Sequence, residues 1–518
     1  MSEMDIAGYL ERANRLYPDR LAVVCGEQRL TYREVYDYAI RVAGGLLELG
    51  LRRGDHVVDA RWNGVEAVVY DWALALAGLV KVPLTPRLSA AEIAHLVRNA
   101  DARAFLTEAD QVEAIEAVRD GAPGVDFIVA DSLPGILSSR HVVGSPLRDR
   151  IPNDPADLYA LRYTGGTTGL PKAATQTHRA FVATAVNILL DYMDLREDDV
   201  LFPTQPYTHG GGIYTLPTAM RGCAQVFQRR FDVDGVLDIV ERERVTVIKI
   251  VPTILYRLIQ AQRDRPRDIS TLRLVGYGAA PMPEQLLREG MEVFGCGFTQ
   301  TYGSASAPAT ISTLNAQVHE QERRTPSKRL RSVGRPYCMT DVQIVDEDGR
   351  CLADGEVGEV TVGGPFVTEG FWNDPAESAK AVRNGRVFTG DLGYLEQGFL
   401  YLVGRMNDLI NSGGFNVYPA EVEQVLISAP GVADAAVTAV PDPEWGERVV
   451  CAVVRQSGRE ASPGEILRYV RERLAGYKCP KYLHFVDRLP QTPNAKVDRK
   501  AVRALIQAAL AEQPVGTG

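Results

Sequence analysis

Lysine is scarce in this chain of 518 residues: only nine of its 57 basic side chains are lysine. A lysine inside a motif is therefore less of an accident than usual. Cysteine is also sparse and unpatterned. Cys25, Cys223, Cys296, Cys338, Cys351, Cys451 and Cys479 are scattered, odd in number and include no CxxC pair, so neither a disulfide framework nor a zinc site is indicated. Positive charge is not in excess; a net charge of -9 gives no footprint for nucleic acid or an anionic membrane. The longest apolar stretch, near Trp72 to Val82, is too short and broken to span a bilayer, and the N-terminus shows no basic-then-apolar leader. These absences predict a soluble, cytoplasmic protein. What is present, 45% hydrophobic and 24% charged residues, is normal for a globular chain with a sizeable core, and the length predicts two to four compact units.

Residues 31–50 read as a helix that Thr31 can cap and Gly50 stops. Helices over Trp72 to Gly78, 90–99 and 110–119 alternate with short apolar strands such as VKVP, ARAFL and DFIVA. A second alternating series covers 180–300 and includes VTVIKIV and LRLVGYG. Such alternation predicts an α/β fold with two parallel-sheet subdomains. From about Arg331 to Leu402, short strands between Gly and Asp turns predict a small β-rich, barrel-like subdomain. After Arg405, the helix–strand–strand–helix pattern predicts a compact α+β unit. The division falls at Gly404–Asp408, giving an N-terminal domain 1–404 and a C-terminal domain 405–518, with the last eight residues or so as a frayed tail.

The sharpest motif is Tyr163-Thr164-Gly165-Gly166-Thr167-Thr168-Gly169-Leu170-Pro171-Lys172. It follows a run, DLYALRY, that could be a strand. Three glycines let backbone N–H groups approach an anion closely, and three threonine hydroxyls with one ammonium add donors. Such a loop suits a polyphosphate. A Walker-type loop would need Gly-Lys-Ser/Thr adjacent; here Leu170 and Pro171 separate Gly169 from Lys172, and Ala173 follows.

With this loop, the chain resembles the adenylate-forming family of acyl-CoA synthetases, carrier-loading adenylation domains and luciferases. The resemblance runs from about Thr31 to Lys500 and rests on pieces in the family's order. VKVPLTPR (80–87) looks like its early strand-turn, and PYTHGGG (206–212) like its acyl-pocket segment. GYGAAPMP (276–283) and QTYGSAS (300–306) are similar to its adenine-binding turns, and FTGDLGYLEQGFLYLVGR (388–405) to its ribose-binding stretch. NDLINSGGFNVYPAEVE (407–423) resembles the start of its mobile C-terminal domain, and LPQTPNAKVDRK (489–500) its catalytic-lysine loop. The resemblance implies a carboxylic acid substrate, ATP giving acyl-AMP, and then coenzyme A. It places Lys496 at the adenylation step, His209 at the gate of the acyl pocket, and Gly278, Ala279, Ala280, Tyr302 and Gly303 around adenine. Asp391 and Arg405 would serve the ribose, Gly413 and Gly414 the pantetheine arm, and Lys478 the CoA nucleotide.

The departures are informative. The family's Tyr-Gly-x-Thr-Glu is here Tyr302-Gly303-Ser304-Ala305-Ser306, which removes a hydroxyl at the α-phosphate and the usual Mg²⁺ carboxylate. Ala495 replaces the glycine before the lysine, and Asn407 the hinge Asp or Lys. Loss of one preorganised electrostatic group costs ~10²–10³ in rate. These changes predict an acyl- or aryl-CoA ligase that forms thioester from acyl-adenylate but adenylates weakly, with a separate enzyme able to supply the adenylate. Mg²⁺ binding is compatible through water and phosphate. A complete ATP-dependent synthetase, a carrier-protein-loading enzyme and a non-catalytic adenylate binder are the competing readings. His209, the Gly210–Gly212 run and Gly278 suggest few bulky walls, hence a broad, ring-containing acid. A homodimer is the default expectation.

Overall fold

The computed structural model describes residues 5–131, 133, 136–164, 171–456, 458–459, 461–491 and 497–511. Two mainly parallel sheets dominate. The first runs, edge to edge, Phe127–Val129, Ala102–Leu106, His56–Asp59, Val80–Pro83, Leu158–Thr164 and Lys172–Thr177. All its pairings are parallel except the last, where Leu158–Thr164 and Lys172–Thr177 run antiparallel, with Thr164 opposite Lys172. The second has nine strands in the order Arg335–Pro336, Ser312–Leu314, Gly297–Tyr302, Leu274–Gly278, Val247–Ile250, Val200–Pro203, Ala224–Phe227, Leu21–Cys25 and Gln28–Thr31. Its interior pairs are parallel and its edge strands antiparallel.

The helices form where the sequence caps them. Thr31 and Ser89 each close a capping box, with Glu34 and Glu92, at the start of helices Tyr32–Glu48 and Ala90–Asn99. Helix Val65–Leu76 is buried almost all round, because it lies in the core shared by the two sheets. That inner core takes Val23 and Val247 from the second sheet, Val57 from the first, and Tyr192, Tyr207 and Tyr214 between them. Helices Val233–Arg242, Pro252–Asp264 and Glu284–Phe294 cover the second sheet's outer face.

A third, antiparallel sheet of five strands is built from Asp341–Val345, Gly358–Gly363, Val382–Arg383, Arg386–Glu396 and Phe399–Arg405. A fourth begins at Ile410. Its strands are Ile410–Ser412, Phe415–Val417, Val432–Asp442, Gly446–Arg455 and Tyr482–Val486, packed with helices Pro419–Ile427, Pro463–Arg471 and Arg499–Ala511. No helix among the described residues is long and apolar enough to cross a membrane.

Candidate adenylate site

The Gly/Thr loop lies outside the described residues from Gly165 to Leu170, so Gly165, Gly166, Thr167, Thr168 and Gly169 cannot be placed. Its frame can. It joins two antiparallel strands of the first sheet, so a strand–loop–helix arrangement of the Walker kind is absent. The 368–372 segment lies along the free edge of Lys172–Thr177. Thr175 N donates to Gly370 O (3.0 Å) and Trp372 N to Ala173 O (2.8 Å), while Thr368 Oγ1 donates to Thr175 O (2.8 Å). Lys172 pairs with Glu377, which also takes Lys380 at 2.7 Å. Those two hydrogen-bonded ammonium groups hold the Glu377 carboxyl at about 2.

Three of the expected nucleotide residues meet directly. Tyr302 ends its strand and donates from Oη to Asp391 Oδ2 at 2.6 Å. Arg405 Nε donates to Asp391 Oδ1 at 3.1 Å. Asp391 and Arg405 lie opposite each other in the third sheet, so the pairing register sets this contact. Burial, then the neighbouring Asp391 charge, pushes the Tyr302 hydroxyl well above its usual range, so it stays a donor. Each carboxylate oxygen of Asp391 spends one lone pair on these partners and keeps one, the acceptor set that two vicinal hydroxyls need.

The turn after Leu274–Gly278 places Ala279 and Ala280 at the surface. Ala279 has φ +71°, a left-handed conformation that costs a residue with a Cβ and that clusters at functional sites. At Gly278 a Cβ would stand 2.3 Å from Thr301 O, and at Gly303 2.4 Å from Ala309 N, so both glycines are fixed by close backbone approach. Ser304 N donates to Ala307 O (3.1 Å), and Thr368 N to Ser306 O (2.8 Å). The 303–310 turn is thus tied to the edge segment while presenting neither a carboxylate nor a threonine hydroxyl at 305 and 306. Among the described residues no group of three His, Cys, Asp or Glu could hold a metal ion.

His209 lies in the 206–212 turn, and Arg162 donates to its carbonyl. A Cβ on Gly210 would meet the Gln205 side chain at 2.4 Å, on Gly211 the Gln205 carbonyl at 2.8 Å, and on Gly212 the Tyr207 carbonyl at 2.7 Å. At Gly211 and Gly212 the close approach is to backbone, so closure of the turn accounts for those two without pocket space; at Gly210 it is to the movable end of Gln205. Gly278, held against Thr301, gives no more support to a wide pocket.

The turn stands on a buried network that motif reading missed. Asp71 accepts from Lys81 Nζ, Tyr159 Oη and Tyr207 Oη, each at 2.6 Å. Burial lowers the Lys81 pKa, Asp71 opposing it. The signal was a lysine inside the apolar run VKVPL, which cannot reach water from a central strand.

In the fourth sheet, Gly413 (φ +61°) and Gly414 (φ +82°) form the two-residue turn between Ser412 and Phe415, where positive φ at both positions favours glycine. A Cβ on Gly413 would lie 2.7 Å from the Trp445 ring. Lys478 is bound to both oxygens of Glu421 at 2.7 Å, an internal pair that an incoming phosphate would have to share. Lys496 lies outside the described residues.

The AMP-binding enzyme family model matches residues 10–372, and the AMP-binding enzyme C-terminal domain model residues 421–496. A feruloyl-CoA synthase of Amycolatopsis sp is 34% identical over 510 residues, covering 97% of this chain and 99% of the relative. An indoleacetate–CoA ligase of Aromatoleum aromaticum is 33% identical over 515 residues, covering 97% and 98%. Among solved structures, the amide bond synthetase McbA from Marinactinospora thermotolerans superposes with a TM-score of 0.87 at 29% identity, covering 96% of this chain and 99% of that one. Matched along nearly its whole length, the chain belongs to the AMP-binding enzyme family, adenylate-forming enzymes whose relatives here include acid–thiol ligases.

Proposed function

We propose that this enzyme makes the CoA thioester of a ring-containing carboxylic acid through an acyl-adenylate, and that its own adenylation half is weak. The observation that carries the second part is the 303–310 turn: beside an intact Tyr302–Asp391–Arg405 set, Ala305 and Ser306 offer no α-phosphate hydroxyl and no metal carboxylate. Asp391 would accept the ribose hydroxyls, Lys172 and the loop before it would face the phosphates, and Lys496 would sit between carboxylate and α-phosphate. Mg²⁺, if bound, would rest on substrate phosphates and water, shielding charge as two anions meet. Attack of the thiol on an acyl-adenylate needs none of this; it needs a channel, for which Gly413 and Gly414 leave room after the 405–518 unit has turned. The acid class follows the aryl names of the relatives above and not the glycines of 206–212.

Two assays decide the matter. Pyrophosphate exchange with ferulate and Mg²⁺ is expected to be slow in the natural protein. The double replacement Ala305→Thr, Ser306→Glu is expected to raise it by ~10²-fold or more. Thioester formation from preformed feruloyl-adenylate and CoA is expected to be fast in both. Brisk exchange in the natural protein, unmoved by the replacement, would mean a complete synthetase. Transfer to a phosphopantetheinylated carrier in preference to free CoA would reassign the acceptor.

A further inference from the structure

Strand Val247–Ile250 carries a lysine in an otherwise apolar run, and Lys249 is only 2% exposed. Alternation along the strand fixes where it points. Val247 belongs to the inner core with Tyr207, Ile213 and Tyr214, while Ile248 and Ile250 belong to the outer core; Lys249, two residues from Val247, therefore faces inward. Pairing fixes its neighbours. Lys249 stands between Pro203 and Gly276, both in parallel strands. The first of these strands leads into the 206–212 turn and the second into Ala279 and Ala280. Lys249 is next to the carboxyl end of its strand, where open parallel sheets bind their ligands. Gly276 contributes no side chain, and a Cβ there would come within 2.6 Å of the Tyr192 hydroxyl and the Met193 methyl.

The ammonium has three donors. Its hydrogen bond goes to the Ile250 carbonyl at 2.9 Å, and it makes no ion pair among the described residues. Burial lowers its pKa to about 7. Lys81, the other lysine in a buried strand, gives the contrast: it is matched by Asp71 at 2.6 Å in a closed network. Lys249 has no carboxylate mate among the described residues, and a buried cation without a counter-charge is costly. Leucine or methionine would fill the same space without that cost.

We propose that Lys249 is a specificity residue of the acyl pocket, selecting carboxylic acids that carry a hydrogen-bond-accepting oxygen at the end remote from the reacting carboxylate. The inference rests on the ligase reading above for what occupies the pocket. A remote carboxylate, phenol oxygen or carbonyl supplies an acceptor beyond the Ile250 carbonyl. An acid with an apolar end covers the ammonium and leaves its other donors unmet, and discrimination against a ligand that strands a buried polar group is steep.

The test compares cinnamate, 4-hydroxycinnamate and 4-carboxycinnamate as substrates of the full chain, and the three matching acyl-sulfamoyl adenosines as ligands in calorimetry. The natural protein is expected to favour the two acceptor-bearing compounds over cinnamate by ~10–10²-fold in kcat/KM and in affinity. Lys249→Met is expected to bring all three within ~3-fold, by losing the substituted acids and keeping or gaining cinnamate. Lys249→Gln, which retains a donor, is expected to fall between. A natural protein without the preference, or a Lys249→Met protein that loses all three in equal proportion or none, overturns the proposal. Should no acid be turned over while the analogues keep the preference, the ligase reading falls and the role of Lys249 stands.

Discussion

His319 shows how one buried side chain sets a solution property. Its Nδ1 lies 2.9 Å from the Asn315 carbonyl and its Nε2 2.9 Å from the Tyr277 hydroxyl. A carbonyl only accepts, so Nδ1 carries the proton and Nε2 accepts from the tyrosine, a tautomer assigned from partners. Burial lowers the folded-state pKa from 6.5 to about 4. Between those values the unfolded chain binds a proton that the native chain refuses, so stability is full above pH 6.5 and falls as the pH drops towards 4. The loss from this group is at most ~3 kcal/mol, and His178, lowered to about 4 by burial, acts with the same sign. His319→Gln keeps a donor and an acceptor without a titrating group. Its melting temperature is expected to fall less between pH 7 and pH 5 than that of the natural protein; identical pH slopes would refute the assignment. At this scale the sequence singled out Tyr302 and Asp391, which do meet, while the Gly and Thr cluster falls outside the described residues. The sequence was unreadable where partners decide, as with Lys478 and Glu421, or His319 and Tyr277, 42 positions apart.

Among elements, the tie that matters most joins helix Val65–Leu76, strand Val80–Pro83, strand Leu158–Thr164 and the 206–212 turn through Asp71. The strand leads into the Gly/Thr loop and the turn holds His209, so one carboxylate ties the frame of that loop to the turn. Asp71→Asn keeps the shape but leaves the Lys81 ammonium buried without its counter-charge. The expected cost is about 3–5 kcal/mol of stability. Adding Lys81→Met is expected to recover much of it, because removing both charges is far cheaper than orphaning one. A double mutant as unstable as the sum of the singles would show the pair to be uncoupled. The helices around this network were legible through local rules, such as the Thr31 and Ser89 capping boxes and the apolar periodicity of 32–48. Sheet membership was not. Strand Leu21–Cys25 pairs with Ala224–Phe227, two hundred positions on, and no local pattern encodes such a partner. The antiparallel pairing across the Gly/Thr loop is local, but residues 172–177 carry no apolar alternation to mark a strand, and at Gly211 and Gly212 open space and backbone contact both select glycine.

Across the whole molecule, Arg499, three positions after the proposed catalytic Lys496, ties the C-terminal helix to the rest of its unit. Arg499 donates from Nε to Asp408 Oδ2 (3.2 Å), from Nη1 to Glu423 Oε1 and to the Val437 carbonyl (2.9 Å), and from Nη2 to Glu423 Oε2 (2.9 Å). It thereby joins the C-terminal helix to the stretch just after Asn407 and to helix Pro419–Ile427. Gln491 and Val497 pair in an antiparallel bridge. Arg499→Met leaves Glu423 and Asp408 without their shared cation, at a cost of about 2–4 kcal/mol for these partly exposed groups. The cores of the fourth sheet share no residue with those of the first three, so the loss should stay local. Calorimetry is expected to show an early transition for the C-terminal unit, followed by one near the original temperature. AMP affinity, assigned under the proposed function to Tyr302, Asp391 and Arg405, should change by less than ~3-fold, while pyrophosphate exchange, assigned there to Lys496, is expected to fall by at least ~10²-fold. If AMP binding and exchange declined together under a single shifted transition, Arg499 would be a global stabiliser, and the separation of the nucleotide cradle from the catalytic tail would be wrong.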